Sequence, residues 1–248
     1  MSNEGFKAHF MLALNGEKTA ESFKIMHLNG ELKQNIPDVD RLFGVPEKTD
    51  YHPEGNSGAH TLLTIKEVKS ASPMVKYAML VHDLGKVITF DEQVKKAEEK
   101  GEPYNVKDLT KHFNHAEKGV ALVEKVSDTL GVPAEWKEFA VLVCKQHMKA
   151  HDFDKMKDSK LFEFNQEVPN QYFEPLMECC LADSLGREVS DNEKQEIRNG
   201  FKLKLAKVKE VRAYMANHPE EDKNTFANNF AKYKKQQSTS IQPSGRNG

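Results

Sequence analysis

The sequence predicts an all-α protein. Apolar residues recur at helical spacing along nearly the whole chain, strand-like alternation is nowhere sustained, and glycine or proline stops separate the stripes. A helix from about residue 57 carries Leu63, Val68 and Ala71, and Ser72-Pro73 breaks it. Val75, Ala78, Met79 and His82 form the next stripe, which ends before Gly85, a residue suited to a C-terminal cap. Residues 86–111 are mixed and charged and interrupted by Gly101 and Pro103, which reads as a long loop with a short helix around 91–100. From His115 the period returns through Ala116, Val120, Val123 and Leu130 and stops at Gly131-Val132-Pro133. Trp136, Phe139, Ala140, Val143 and His147 share the next face, Phe173, Leu176, Cys180 and Asp183 another, and Ile197, Phe201, Leu205, Val208 and Met215 a last long one. Residues 236–248 are polar and breaker-rich, which predicts a disordered tail.

Composition narrows the function classes. The 248 residues balance 36 Lys+Arg against 38 Asp+Glu, a formal charge of −2, so wholesale phosphate neutralisation is not what the chain is built for. No apolar run approaches the ~20 residues of a spanning helix, and Phe10–Leu14 is too short for a signal peptide. The three cysteines, Cys144, Cys179 and Cys180, make no disulfide framework and fit a reducing, cytoplasmic setting.

Three stripes end in residues foreign to an apolar core. His82 and Asp83 close one helix, His147 lies inward on another and Asp183 inward on a third. A buried, unpaired carboxylate costs several kcal/mol, roughly, even after relaxation, so Asp183 requires a partner. A metal ion satisfies all of these groups at once. Mixed imidazole and carboxylate ligands suit Ni, Mn, Co, Fe or Zn better than Mg, which remains an option. The His-Asp dipeptide occurs twice, at 82–83 and 151–152, and carries no weight alone. The weight comes from the set formed with His60, Asp183 and the Asp83-Leu84-Gly85-Lys86 turn.

The series His60…His82-Asp83…Asp183 resembles the ligand signature of the HD superfamily of metal-dependent phosphohydrolases. More narrowly, the chain is similar to the C-terminal HD domain of bacterial CCA-adding tRNA nucleotidyltransferases. The similarity runs through Leu42-Phe43-Gly44-Val45-Pro46, Tyr51-His52-Pro53-Glu54-Gly55, His60-Thr61-Leu62-Leu63, His82–Lys86 with Thr89, His112-Phe113-Asn114-His115, His147…His151 and Ala182-Asp183-Ser184-Leu185-Gly186-Arg187. The family's nucleotidyltransferase head, with its Gly-Gly-x-x-x-Arg-Asp loop and Asp-x-Asp pair, has no counterpart. Asp38-Val39-Asp40 precedes a segment that matches the family between its domains. The resemblance therefore implies an HD helical bundle that does not add CCA. Its parts would be an N-terminal helical segment (1–50) like the end of the family's body, an HD domain (51–216), and a C-terminal helix and tail (217–248).

Within that signature the resemblance implies metal ligands at His60, His82, Asp83 and Asp183, and hydrolysis of nucleotide or RNA 3′-end phosphoesters, 2′,3′-cyclic phosphates above all. A tRNA partner is implied in the same way. Asp83 ligates or orients the attacking water. Lys86 is placed for a phosphate oxygen or, alternatively, for the helix dipole. His115 and His147 suit a second metal or the substrate, with His112 and His151 nearby, and Arg187 suits a phosphate clamp or a surface ion pair. The run Lys202, Lys204, Lys207, Lys209 and Arg212 reads as a solvated helix face or an RNA-facing patch. Other readings are a non-catalytic RNA- or protein-binding module, a 5′-nucleotidase and a cyclic (oligo)nucleotide hydrolase.

Overall fold

A computed structural model describes residues 3–240. The chain is all-α, as its periodicity predicts; among the described residues there is no strand, only an isolated bridge between Pro46 and Asn56. The residues group into two compact units, one holding the chain up to His151 together with Gln171–Phe201, the other Asp152–Asn170 and the chain from Lys202 onward.

The first unit begins with α1 (Asn3–Asn15), α2 (Thr19–Leu28), α3 (Glu31–Asn35) and α4 (Pro37–Asp40). Phe6, Phe10, Ala13 and Leu14 bury one face of α1, and Ala20, Phe23 and Met26 one face of α2. Helix α5 (Ser57–Glu67) starts where the Asn56 side chain accepts the Ala59 N–H at 2.8 Å. Helix α6 (Pro73–Val81) opens with its proline at the first turn and is buried nearly all round, with Val75, Tyr77, Ala78, Met79, Leu80 and Val81 inside. It is the central rod of the unit and packs against α9 (Ala134–Gln146).

Helix α7 (Gly85–Lys100) contains the short helix expected around 91–100 and extends it back to Gly85 through a stretch expected as loop; residues 101–111 carry only a 3-10 turn at Val106–Asp108. Only its first turn is buried, at Gly85, Lys86, Val87 and Thr89, so the remaining turns carry no apolar stripe. Gly101, at φ 68°, ends it in the left-handed conformation. Gly85 is therefore a helix start and not the cap expected of it. Its role is contact: a Cβ there would lie 1.8 Å from the His115 carbonyl oxygen. A Cβ on Gly119 of α8 (His115–Leu130) would reach the Gly85 nitrogen at 2.9 Å. The two glycines let α7 and α8 touch backbone to backbone, which brings His115 beside Asp83.

The second unit contains α10 (Asp158–Glu167); α11 (Asn170–Leu185) returns the chain to the first. The long α12 (Asp191–Asn217) serves both units and α13 (Lys223–Ser240) the second. Phe162, Tyr214, Phe226 and Phe230 form an aromatic core in the second unit. Helix α13 continues to Ser240, into the stretch read as a tail from 236; residues 241–248 lie outside the described ones. Three of the five cations of the basic run on α12 are turned to the protein, while Lys202 and Lys209 are exposed. Lys207 donates to the carbonyls of Asp154 and Met156, Lys204 pairs with Asp154, and Arg212 donates to the carbonyls of Asn165 and Val168 and to the side chain of Asn170.

Candidate metal centre

His82 and Asp83 occupy the tight turn between α6 and α7, His60 lies on α5, His115 begins α8, His147 follows α9, and Asp183 lies near the end of α11. The fold brings all six together. His60 Nε2 is 2.9 Å from Asp183 Oδ1; His82 Nε2 is 3.4 Å from the same oxygen and 3.3 Å from Asp83 Oδ2. On the other side of Asp83, Oδ1 is 3.2 Å from His115 Nε2 and 3.6 Å from His147 Nε2. All six residues are buried.

The tautomers follow from the partners of the opposite ring nitrogens. A backbone carbonyl can only accept, so a nitrogen bonded to one must carry the proton. His60 Nδ1 donates to the Gly186 carbonyl (2.8 Å), His82 Nδ1 to Met79 (2.7 Å), His115 Nδ1 to His112 (2.7 Å), and His147 Nδ1 to Cys144 (3.0 Å) and Val143 (3.1 Å). In the neutral rings all four Nε2 lone pairs then point at two carboxylates, and those of His115 and His147 face each other at 3.2 Å. Acceptors confront acceptors. His82 Nε2 and Asp83 Oδ1 are buried without any hydrogen-bond partner, and Asp83 Oδ2 has only the Lys86 ammonium, 2.9 Å away. Protons or cations must fill such a nest, and its donor chemistry fits a divalent metal: His60, His82 and Asp183 form one compact set of donor atoms, and His82, Asp83 and His147 a second.

Without a cation the cluster holds protons instead. Burial acts against the charged form of His60, but its bonds to Asp183 and Glu54 prevail and raise it to about 10. Burial likewise raises Asp83 and Asp183. The charges of His82 and Lys86 at Asp83, and the bonds from His151, His60 and His82 at Asp183, outweigh it and hold both carboxyls well below their usual range.

Two carboxylates that the sequence reading gave no role anchor these groups from behind. Lys86 is buried, 2.6 Å from Glu47 Oε1 and 2.9 Å from Asp83 Oδ2, so it stands behind Asp83 in an ion-pair relay. That position differs from both readings of Lys86, a phosphate contact and a dipole partner. The Glu54 side chain is 1% exposed; its Oε1 accepts from His52 Nδ1 (2.8 Å) and lies 3.2 Å from His60 Nδ1. Glu47 and Glu54 share one loop, closed by Glu47 N–H to the Gly55 carbonyl and Ser57 N–H to the Val45 carbonyl. The signal was present in Tyr51-His52-Pro53-Glu54-Gly55, but a carboxylate facing away from the ligands' reacting side is invisible to ligand spacing.

The remaining expected residues separate. His151 Nε2 is 3.3 Å from Asp183 Oδ2 and its side chain is 43% exposed, which places it at the mouth. His112 is not in the cluster: its Nε2–H donates to the Pro46 carbonyl (3.1 Å), its Nδ1 meets the Thr89 hydroxyl (2.9 Å), and burial lowers its pKa. Only its backbone carbonyl serves, by orienting His115. Arg187 is half-buried and its Nε donates to the Ser184 carbonyl (3.2 Å). The cysteines are reduced and buried, and burial raises Cys144 to about 12.

Comparison with known proteins adds ancestry. No family model matches the chain. Multifunctional CCA proteins do: that of Acinetobacter baumannii is 33% identical over 171 residues, 66% of this chain and 38% of the relative. That of Acinetobacter baylyi is 33% identical over 176 residues, 68% and 39% of the two chains. That of Methylobacillus flagellatus is 34% identical over 178 residues, again 39% of the relative. Over this stretch the chain is related to them. It spans about two fifths of their length. Among the described residues no helix is long and apolar enough to cross a membrane.

Proposed function

We propose that the chain is an HD-type, metal-dependent phosphohydrolase that acts on nucleotide or RNA-end phosphoesters, with 2′,3′-cyclic phosphates as the preferred class. One observation carries the reading: four buried imidazoles, each locked by its Nδ1–H, turn their Nε2 atoms onto two ionised carboxylates, and His82 Nε2 and Asp83 Oδ1 find no hydrogen-bond partner there. A divalent cation held there supplies a nucleophile at neutral pH and neutralises charge that develops on the phosphoryl oxygens.

The chain's own groups do the rest. Lys86, held in place by Glu47, favours the ionised form of Asp83, so that it stays available as a ligand or as acceptor for the attacking water's proton. Glu54 orients the His60 ring through its Nδ1–H. His151 at the mouth is the group placed to donate to a phosphoryl oxygen. The name of the relatives, multifunctional CCA protein, supports an RNA-linked substrate, tRNA included. The basic run on α12 lends no support to an RNA-facing patch there, because three of its five cations are engaged within the protein.

The test is hydrolysis of 2′,3′-cAMP by the purified protein with Ni²⁺, Mn²⁺ or Mg²⁺, with Asp83→Ala as control. The expected result is metal-dependent turnover that falls by at least ~10³-fold in the variant. Full activity in Asp83→Ala, or no turnover with any metal, overturns the reading.

A further inference from the structure

Outside the metal cluster, a groove of about 650 Å³ runs between the exposed turns of α7 and the segment 101–114. Its volume falls within the range of small-ligand sites. Phe113 (75% exposed) and Tyr104 (41%) present uncovered aromatic faces along it. Lys96, Lys100 and Lys111 also line it, and none of the three has an ion-pair partner among the described residues. The acidic lining is smaller: Glu92 is engaged by Lys118 at 2.6 Å, which leaves Glu102 and Asp108 against the three free cations.

The groove is joined to the metal cluster. Thr89 in its wall holds the His112 ring, and the His112 carbonyl holds His115. Asn114, also in the wall, immediately precedes His115 with φ 59°, the one non-glycine residue with positive φ among those described. Such a conformation costs of order 1 kcal/mol or more and persists where the surroundings enforce it. Here it turns the chain from the groove into the helix that aims His115 at Asp83.

We infer that this groove is a binding site for single-stranded RNA, seating the nucleotide next to the phosphoester that enters the metal cluster. Flat aromatic faces with unpaired lysines are what an unstacked base and its phosphates require: stacking is tolerant of base identity, and the cations follow the backbone. A protein partner would want an apolar groove, whereas this one is lined mainly by charged and polar side chains. The choice of RNA rests on the phosphoester reading above; the groove itself does not.

The experiment is fluorescence anisotropy of the full chain with a labelled adenosine pentaribonucleotide ending in a 3′-hydroxyl, which offers no terminal phosphate to hydrolyse. Saturable binding that weakens about tenfold or more in Phe113→Ala is expected. In the triple variant Lys96→Gln/Lys100→Gln/Lys111→Gln the slope of log affinity against log salt should flatten by about 2. Phe113 is exposed, so its loss leaves the fold intact. No saturable binding, or both variants binding as the parent does, overturns the inference. Because the probe is inert, pentamer binding with no turnover of 2′,3′-cAMP would sink the hydrolase and keep the groove, and turnover without pentamer binding would do the reverse.

Discussion

The two faces of Asp83 are built differently. Its Oδ2 face looks onto a second carboxylate, Asp183, onto His60 and His82, and onto the Lys86 ammonium. Its Oδ1 face, among the described residues, meets the imidazoles of His115 and His147. The support differs as well. His60 leans on a carboxylate, Glu54, besides a carbonyl, while His115 and His147 lean on carbonyls alone. We propose the Oδ2 face as the tighter seat for a cation, because a second carboxylate and a more basic ring there outweigh the Lys86 ammonium, and the Oδ1 face as the weaker, more exchangeable one.

Gly85→Ala attacks the contrast most strongly. A methyl group forced against the His115 carbonyl separates α7 from α8, so a loss of about 3 kcal/mol or more is expected, together with the Oδ1 face. Chemical denaturation and metal titration on one sample check both. His147→Ala should lower the bound metal by one ion per chain and leave the Oδ2 ion in place, read by elemental analysis; an unchanged metal content would show that the faces act as one. Glu54→Gln keeps the shape but weakens the support of His60, and calorimetry should find the tighter affinity reduced by about 10–100-fold with the weaker one unmoved.

The smallest effect lies away from the cluster and calibrates the rest. Burial raises the Glu67 carboxyl, but bonds from Lys194 (2.7 Å) and Arg198 (2.8 Å) outweigh it and hold the group below its ordinary value of 4.5. Its contribution is therefore present above pH 4.5 and is lost as pH falls through the lowered value. Glu67→Gln should cost about 0.5–1 kcal/mol at pH 7, a figure already reduced for solvent screening, and nothing in strong acid. Urea melts at both pH values check this.

The fold was legible where burial imposes a period. Val75, Ala78 and Met79 announce α6 because the helix is surrounded. The first turns of α7 were not legible, since what buries them is the His/Asp cluster and the α8 backbone, neither of which leaves a stripe; only its outer part, around 91–100, was expected as helix. The meeting of His60, His82, Asp83 and Asp183 could be anticipated because buried charge is expensive and so conspicuous on an apolar face. Lys86 was harder: a lysine among charged neighbours looks solvated, and its burial depends on Glu47, distant in sequence. Arg187 and His112 carry the right chemistry, but their geometry turns each to a backbone carbonyl.

The candidate ligands are scattered along the chain, and His60 and Asp183 are separated by 123 positions. Apart from the adjacent His82 and Asp83, no short segment contains two ligands of this cluster, so an ion bound there has little to organise early in folding. Loop closure across such distances is slow, and only a nearly complete first unit presents the nest. A cation should then act as a late clamp: it slows unfolding in proportion to its affinity and leaves the refolding rate almost untouched, a kinetic lock in place of a template.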